Sequence, residues 1–124
     1  MRSAQSKVTA VFRALGDDTR LQILALLRRR EICVCEFVEL FGISQSAVSE
    51  HLRRLKEAGL VLDERRAMWV FYHLAEPLPE FATAALDAAE VPGDLEARLE
   101  ALPPVDMCCV RAPRRKPMAV KARE

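Results

Sequence analysis

The stretch from residue 33 to residue 58 constrains this chain most, because it holds two helical patterns separated by a short break. The first pattern, about residues 33–41, repeats apolar side chains at the helical period (Val34, Phe37, Val38 and Phe41). Gly42 suits the left-handed position that ends a helix, and Ser44 is a good N-cap for a second helix over about residues 45–58. That second helix is polar on its outer face. Two short helices joined in this way indicate a helix-turn-helix.

After Gly59 the apolar residues no longer recur at the helical period but at every second residue. This change predicts strands at residues 60–62 and 68–74, joined by a turn over residues 63–67. A hairpin that directly follows a helix-turn-helix indicates the winged version of the motif. Further helices are predicted at residues 5–15, from the cap Asp17 to Arg30, at residues 80–90, and at residues 95–102 after the cap Asp94. The predicted fold is mainly α with a small β-hairpin, with extra N- and C-terminal helices.

The length of 124 residues predicts one domain, which we assign to residues 1–102. Residues 103–124 hold four prolines and a basic run, and are predicted to form a flexible tail. Basic side chains concentrate in residues 1–30 and 111–124, whereas residues 76–106 are acidic, which favours one side that faces a polyanion. We find no apolar run long enough for a membrane span and no signal-peptide pattern, so the expected location is cytoplasmic.

Five stretches carry a resemblance to a known family: ALGDDTRLQIL, EICVCEF, SQSAVSEHL, LKEAGLV and WVFYHL, within about residues 8–90. With them the chain resembles the ArsR/SmtB metalloregulatory repressors, and among these the arsenic-responsive branch. The resemblance implies a homodimer that binds double-stranded operator DNA and leaves it when As(III) or Sb(III) binds cysteine thiolates, with no organic cofactor. It also places the dimer interface on the helices at residues 5–15 and 80–90, the second of which is rich in alanine.

The chain departs from the family pattern at two places. Val38 stands where the best-known arsenic sensors have a third cysteine. The wing turn reads Arg66-Ala67-Met68, where the family usually has an acidic residue, a glycine and a basic residue. The second departure puts both the turn geometry and the usual basic contact in question.

The outer face of the second helix is the predicted DNA-reading surface. Short or amide side chains on its first turns can reach base edges in the major groove, whereas basic residues farther along the helix suit phosphates. The basic residues at the wing tip are expected to reach an adjacent minor groove. The alternative is the solvated face of an ordinary helix. The predicted DNA-binding residues are Ser44, Gln45, Ser46, Ser49, His51, Arg53, Arg54, Lys56, Arg65 and Arg66. We include His51 as part of the family's recognition-helix signature, in preference to a role as a metal ligand.

Four cysteines, Cys33, Cys35, Cys108 and Cys109, are the predicted metal ligands. Soft thiolates select thiophilic ions, and neither pair has the spacing of a structural zinc site. On an ideal helix, side chains two residues apart point about 200° apart, so Cys33 and Cys35 are expected to bind one ion only if the first helical turn rewinds. Cys108 or Cys109 is the expected third ligand, although the tail pair could instead form a separate or redox-labile site.

No phosphate loop, nucleophile elbow or metalloprotease motif is found, so we expect no enzymatic activity. Two alternatives to an arsenic sensor remain open. One is a repressor that senses Cd(II), Pb(II) or another soft ion, and the other is a switch in which the cysteines oxidise to a disulfide.

Overall fold

The computed structural model describes residues 4–103, with side chains from residue 7 onward. Within this range the helices and strands alternate along the chain as α1 (Ala4–Leu15), α2 (Asp18–Leu27), β1 (Ile32–Cys33), α3 (Val34–Phe41), α4 (Gln45–Glu57), β2 (Val61–Arg66), β3 (Trp69–Leu74), α5 (Glu80–Ala88) and α6 (Gly93–Ala101). The fold is a winged helix-turn-helix, as predicted. α3 and α4 form the motif, and β2 and β3 form the wing.

Local capping explains where the helices around the motif begin and end. The carboxylate of Asp17 accepts from the Arg20 amide at 3.0 Å, and the Ser44 hydroxyl accepts from the Ala47 amide at 3.1 Å. Gly42 ends α3 with a φ of 65°, a left-handed conformation that glycine adopts without penalty. Gly42 and Ser44 confirm the predicted helix ends on both sides of the turn, and Asp17 confirms the predicted beginning of α2.

The prediction that Asp94 caps the last helix is wrong. Pro92 occupies the N-cap with an extended backbone, and α6 already begins at Gly93. Asp94 therefore lies in the first turn, where its negative charge still favours the helix dipole.

The wing differs from the prediction in two ways. A third strand, β1, pairs with β3 in antiparallel fashion through Ile32 opposite Tyr72 and Cys33 opposite Phe71, so the sheet order is β1-β3-β2. The predicted turn over residues 63–67 is also too long, since the β2–β3 ladder continues to Arg66 opposite Trp69. Beyond its first residue β2 is exposed throughout, and an exposed edge strand does not need the apolar alternation on which the prediction relied.

The hydrophobic core holds α4 by its inner face. Val48, Leu52 and Leu55 are fully buried and pack with residues of α2 and α3. A second, smaller cluster contains Cys33 and Phe71, with Cys35 and Trp69 packed against it. In the part of the chain that the structure describes, every helix is too short or too polar to cross a membrane.

Candidate DNA interface and cysteine site

The residues predicted to read bases are exposed at the beginning of α4. Gln45, Ser46 and Ser49 all lie open to solvent on the side opposite the buried leucines. Ser44 is exposed as well, but its hydroxyl already caps the helix. The first turn of α4 therefore offers an amide and two hydroxyl groups for contacts to base edges.

His51 occupies a different place from the other predicted DNA-binding residues. Its side chain is 21% exposed, and its Nδ1 lies 3.8 Å from the Asp17 carboxylate and 3.3 Å from the Arg20 guanidinium. Arg20 also donates to the carbonyl oxygen of Ala14 at 2.7 Å. His51 thus contacts the turn between α1 and α2, a geometry that favours a role in positioning α4.

The cations along α4 are held by carboxylates of the same surface. Arg53 pairs with Glu50 and with Glu57, both at 2.6 Å, and Arg54 pairs with Glu50 at 3.0 Å. Hydrogen bonds from Arg53 hold the pKa of Glu50 below its ordinary value, so this carboxylate is ionised at neutral pH. Sequence reasoning missed the role of these glutamates, although spacings of three and four residues on a helix indicate such pairs.

The two basic residues of the wing, Arg65 and Arg66, have different surroundings. Arg66 forms a two-pronged pair with Glu31 at 2.6 and 2.7 Å and also contacts Glu64 at 2.9 Å, whereas Arg65 is exposed. Hydrogen bonds from Arg66 lower the pKa of Glu31. At the tip, Ala67 has a φ of 57°, so a residue with a β-carbon occupies the left-handed position that favours glycine.

Cys33 and Cys35 lie together at the beginning of α3. Their Sγ atoms are 3.3 Å apart. Cys33 is the N-cap residue of α3, with an extended backbone at φ −82° and ψ 151°, and only Cys35 belongs to the helix. The expectation that the first turn must rewind to bring the two sulfurs together is therefore wrong, because the helix begins after Cys33.

The wing and a buried ion pair surround the cysteine site. Cys33 is 2% exposed and packs against Phe71, and the Arg66 guanidinium lies 4.6 Å above the centre of the same phenyl ring. The carboxylate of Glu36, 1% exposed, accepts from the Cys33 amide at 2.9 Å and receives both arms of Arg30. The indole Nε1 of Trp69 is buried without a hydrogen-bond partner among the described residues.

A complete metal site is not found between residues 4 and 103, since no group of three or more His, Cys, Asp or Glu side chains converges there. The predicted ligands Cys108 and Cys109 lie outside the described residues. Cys35 is disulfide-bonded. Cys33 is not its partner, because 3.3 Å far exceeds the S–S bond length of about 2.05 Å.

Comparison with known proteins agrees with this architecture. Residues 17–62 match the family model described as bacterial regulatory protein, arsR family. The chain is 42% identical over 77 residues to the arsenic resistance transcriptional regulator ArsR1 of Pseudomonas putida, a match that covers 61% of this chain and 60% of that protein. It is 40% identical over 80 residues to the arsenical resistance operon repressor of Escherichia coli, covering 64% of this chain and 68% of that repressor.

A solved structure matches the fold as well. The homodimeric winged helix-turn-helix DNA-binding domain of a Mycobacterium bovis protein superposes with a TM-score of 0.58 at 28% identity, covering 69% of this chain and 82% of that domain. On its sequence and its fold, this chain belongs to the arsR family of bacterial regulatory proteins.

Proposed function

We propose that this chain represses transcription by binding operator DNA as a homodimer, and that it leaves the DNA when As(III) or Sb(III) binds Cys33 and Cys35. The observation that carries the inducer assignment is the distance of 3.3 Å between the two sulfurs. The names of the Pseudomonas and Escherichia relatives support arsenic as the signal. Because the chain spans only about 60% of the first relative, the inducer and the operator are proposals for this protein.

When Cys35 is reduced, the sulfur pair fits a trivalent ion. If both sulfurs lie about 2.3 Å from one ion, the usual length of a zinc–thiolate bond, a separation of 3.3 Å corresponds to an angle of about 90° at the ion. This angle is sharper than that of a tetrahedral zinc site and agrees with the pyramidal geometry of an ion that carries a lone pair. Thiolates also prefer soft ions over hard ones.

The same site offers a physical route to DNA release. Cys33 is buried against Phe71, so an ion on its sulfur needs space that β3 now occupies. The Arg66 guanidinium stacks on the ring of Phe71 and forms an ion pair with Glu31. Occupation of the site is therefore expected to move the wing, since a packed interior has no room to spare.

DNA binding is assigned to α4 and the wing. With α4 in the major groove, Gln45, Ser46 and Ser49 face base edges, and two copies reach half-sites about one helical turn, roughly 10 bp, apart. The dimer interface is assigned to α1 and α5. Phe12 of α1 is 55% exposed while it stacks on Phe81 of α5 at 4.8 Å, so the two helices share an apolar surface that a second copy can cover.

The test is a titration of the protein–operator complex with arsenite, cadmium and peroxide, each in a separate experiment. The ion titrations contain a phosphine reductant, because arsenite requires reduced cysteines and a dithiol would compete for it. We expect arsenite to release the DNA from the wild type but not from Cys33→Ser or Cys35→Ser. Release by cadmium alone, or by peroxide alone, contradicts the arsenic assignment and indicates one of the other two sensors.

The third ligand is tested in the full chain. We propose that Cys108 or Cys109 supplies it, because Val38 stands where a third helical thiolate would otherwise lie. The entropic cost of closing a long loop grows only with the logarithm of its length. Arsenic X-ray absorption is expected to count three sulfurs in the wild type and two in a Cys108→Ser/Cys109→Ser double variant. Equal counts in both proteins rule out the tail.

A further inference from the structure

The surface of α4 that faces outward carries acidic as well as basic groups. Glu50 and Glu57 hold Arg53 from both sides, each at 2.6 Å, and Glu50 also holds Arg54 at 3.0 Å. All four side chains are about half exposed, so water and salt reach them freely. Lys56 on the same helix is held in the same way by Asp63 of β2, at 3.0 Å. Four of the five lysine and arginine residues predicted to bind DNA, including Arg66, are thus already in ion pairs.

We propose that Glu50 and Glu57 weaken the binding of DNA through its phosphates, because they hold Arg53 and Arg54 in intramolecular ion pairs and a phosphate must compete with a carboxylate for each arginine. This inference rests on the proposed binding of DNA through α4. Binding to phosphates alone requires only basic residues on this surface of α4. The inference therefore gives a function to its two acidic residues, Glu50 and Glu57.

The effect of these ion pairs on DNA binding follows from the charges that meet the DNA phosphates. A free arginine that contacts a phosphate releases about one condensed cation from the DNA, which makes binding tighter and steeper in salt. An arginine that leaves a glutamate also leaves an unpaired negative charge beside the DNA, so the two side chains together neutralise little phosphate charge. A paired arginine therefore contributes little to the salt dependence of binding.

The pairs leave the predicted base-reading side chains unchanged. Non-specific affinity comes almost entirely from phosphate contacts, whereas an operator is also read through base edges. Gln45, Ser46 and Ser49 are uncharged and exposed, so they stay available to bases. The two glutamates therefore lower the affinity for all DNA, the operator included, without removing the contacts that distinguish one sequence from another.

The proposal is tested with Glu50→Gln, Glu57→Gln and the double variant in the full chain. Glutamine keeps the size and helix propensity of glutamate but removes its charge. The matched control is Glu100→Gln, because Glu100 is an exposed carboxylate of α6 that pairs with Arg29 at 2.9 Å, away from α4. Binding to a fluorescent duplex of arbitrary sequence is measured by anisotropy over a series of KCl concentrations, with circular dichroism and gel filtration as checks on the fold.

We expect the double variant to bind this duplex about threefold more tightly or better at moderate salt, and the control to resemble the wild type. Its plot of log affinity against log salt should be steeper by up to about 0.9 for each freed arginine that contacts a phosphate. If the double variant is less stable, Glu57→Gln alone should show the same direction. Equal slopes and affinities for the α4 variants and the control overturn the inference. A wild type that binds no duplex even at low salt overturns the proposed function itself.

Discussion

Replacement of Cys33 by serine separates the chemistry of the site from its contribution to the fold. Cys33 is the N-cap of α3 and already has the extended backbone of a cap residue. Serine is among the preferred N-cap residues, and a hydroxyl cap is worth about 1 kcal/mol. The sulfur, however, is buried against Phe71, and the smaller oxygen loses contacts worth about 0.8 kcal/mol, as for one methylene group.

The Cys33 side chain already takes part in a capping box with Glu36, so the serine hydroxyl replaces this cap and the lost contacts oppose any gain. The free energy of unfolding of Cys33→Ser should therefore lie within about 1 kcal/mol of the wild type. For a domain of this size such a change moves the Tm by at most about 4–8 °C. Cys33→Ala is the matched control: it loses the same sulfur contacts but cannot cap, so it should be about 1 kcal/mol less stable than the serine variant. Both variants should bind DNA normally and ignore arsenite.

Urea unfolding of the three proteins, followed by arsenite titration of their DNA complexes, gives both quantities. An alanine variant that is more stable than the serine variant refutes the capping argument. A serine variant that is destabilised by more than about 3 kcal/mol shows instead that the hydroxyl is buried without a hydrogen-bond partner. Release of either variant by arsenite at wild-type concentrations removes Cys33 from the inducer site.

Three further changes test the wing, the reading surface and the cysteine site. Ala67→Gly should raise the free energy of unfolding by about 0.5–1 kcal/mol at unchanged m value, because the left-handed penalty of about 1–2 kcal/mol exceeds the added entropy of the unfolded glycine; an unchanged urea midpoint contradicts this. Gln45→Ala should relax the preference at one or two operator base pairs by about 1–3 kcal/mol, measured by competition among operator variants, and an unaltered ranking shows that α4 docks differently. Trp69 is the single tryptophan and packs, as Cys35 does, against the cluster of Cys33 and Phe71, so arsenite should change its fluorescence in the wild type and leave it unchanged in Cys35→Ser.

Local patterns predicted the helix-turn-helix well. The helical period of the apolar residues, the cap Ser44 and the left-handed Gly42 are all determined by neighbours within one or two turns, and the structure has each of them where the sequence indicates. The same holds for Asp17 at the beginning of α2. These signals act over short distances, so a single sequence contains them in full.

The errors lie where distant residues decide the local structure. Cys33 was placed in a helix because Val34, Phe37 and Phe41 follow it at the helical period. It is instead drawn into β1 by pairing with Phe71, a residue that the chain reaches only after α3, α4 and β2. A strand of two residues has no period of its own, so no local pattern could reveal it. This one misplacement produced the wrong expectation that the helix must rewind before both sulfurs can meet.

The contacts of Arg66 at the surface also depend on residues that are distant in the sequence. Its position in the wing and its charge predict a contact with the minor groove of DNA, and nothing in its neighbourhood in the sequence indicates another role. The structure pairs it with Glu31, 35 residues earlier and two residues before Cys33, and stacks it on the ring against which Cys33 is buried. The pair connects the wing to the segment that carries the cysteines through side chains in direct contact. A change at either cysteine can therefore reach the wing through side chains that are in direct contact.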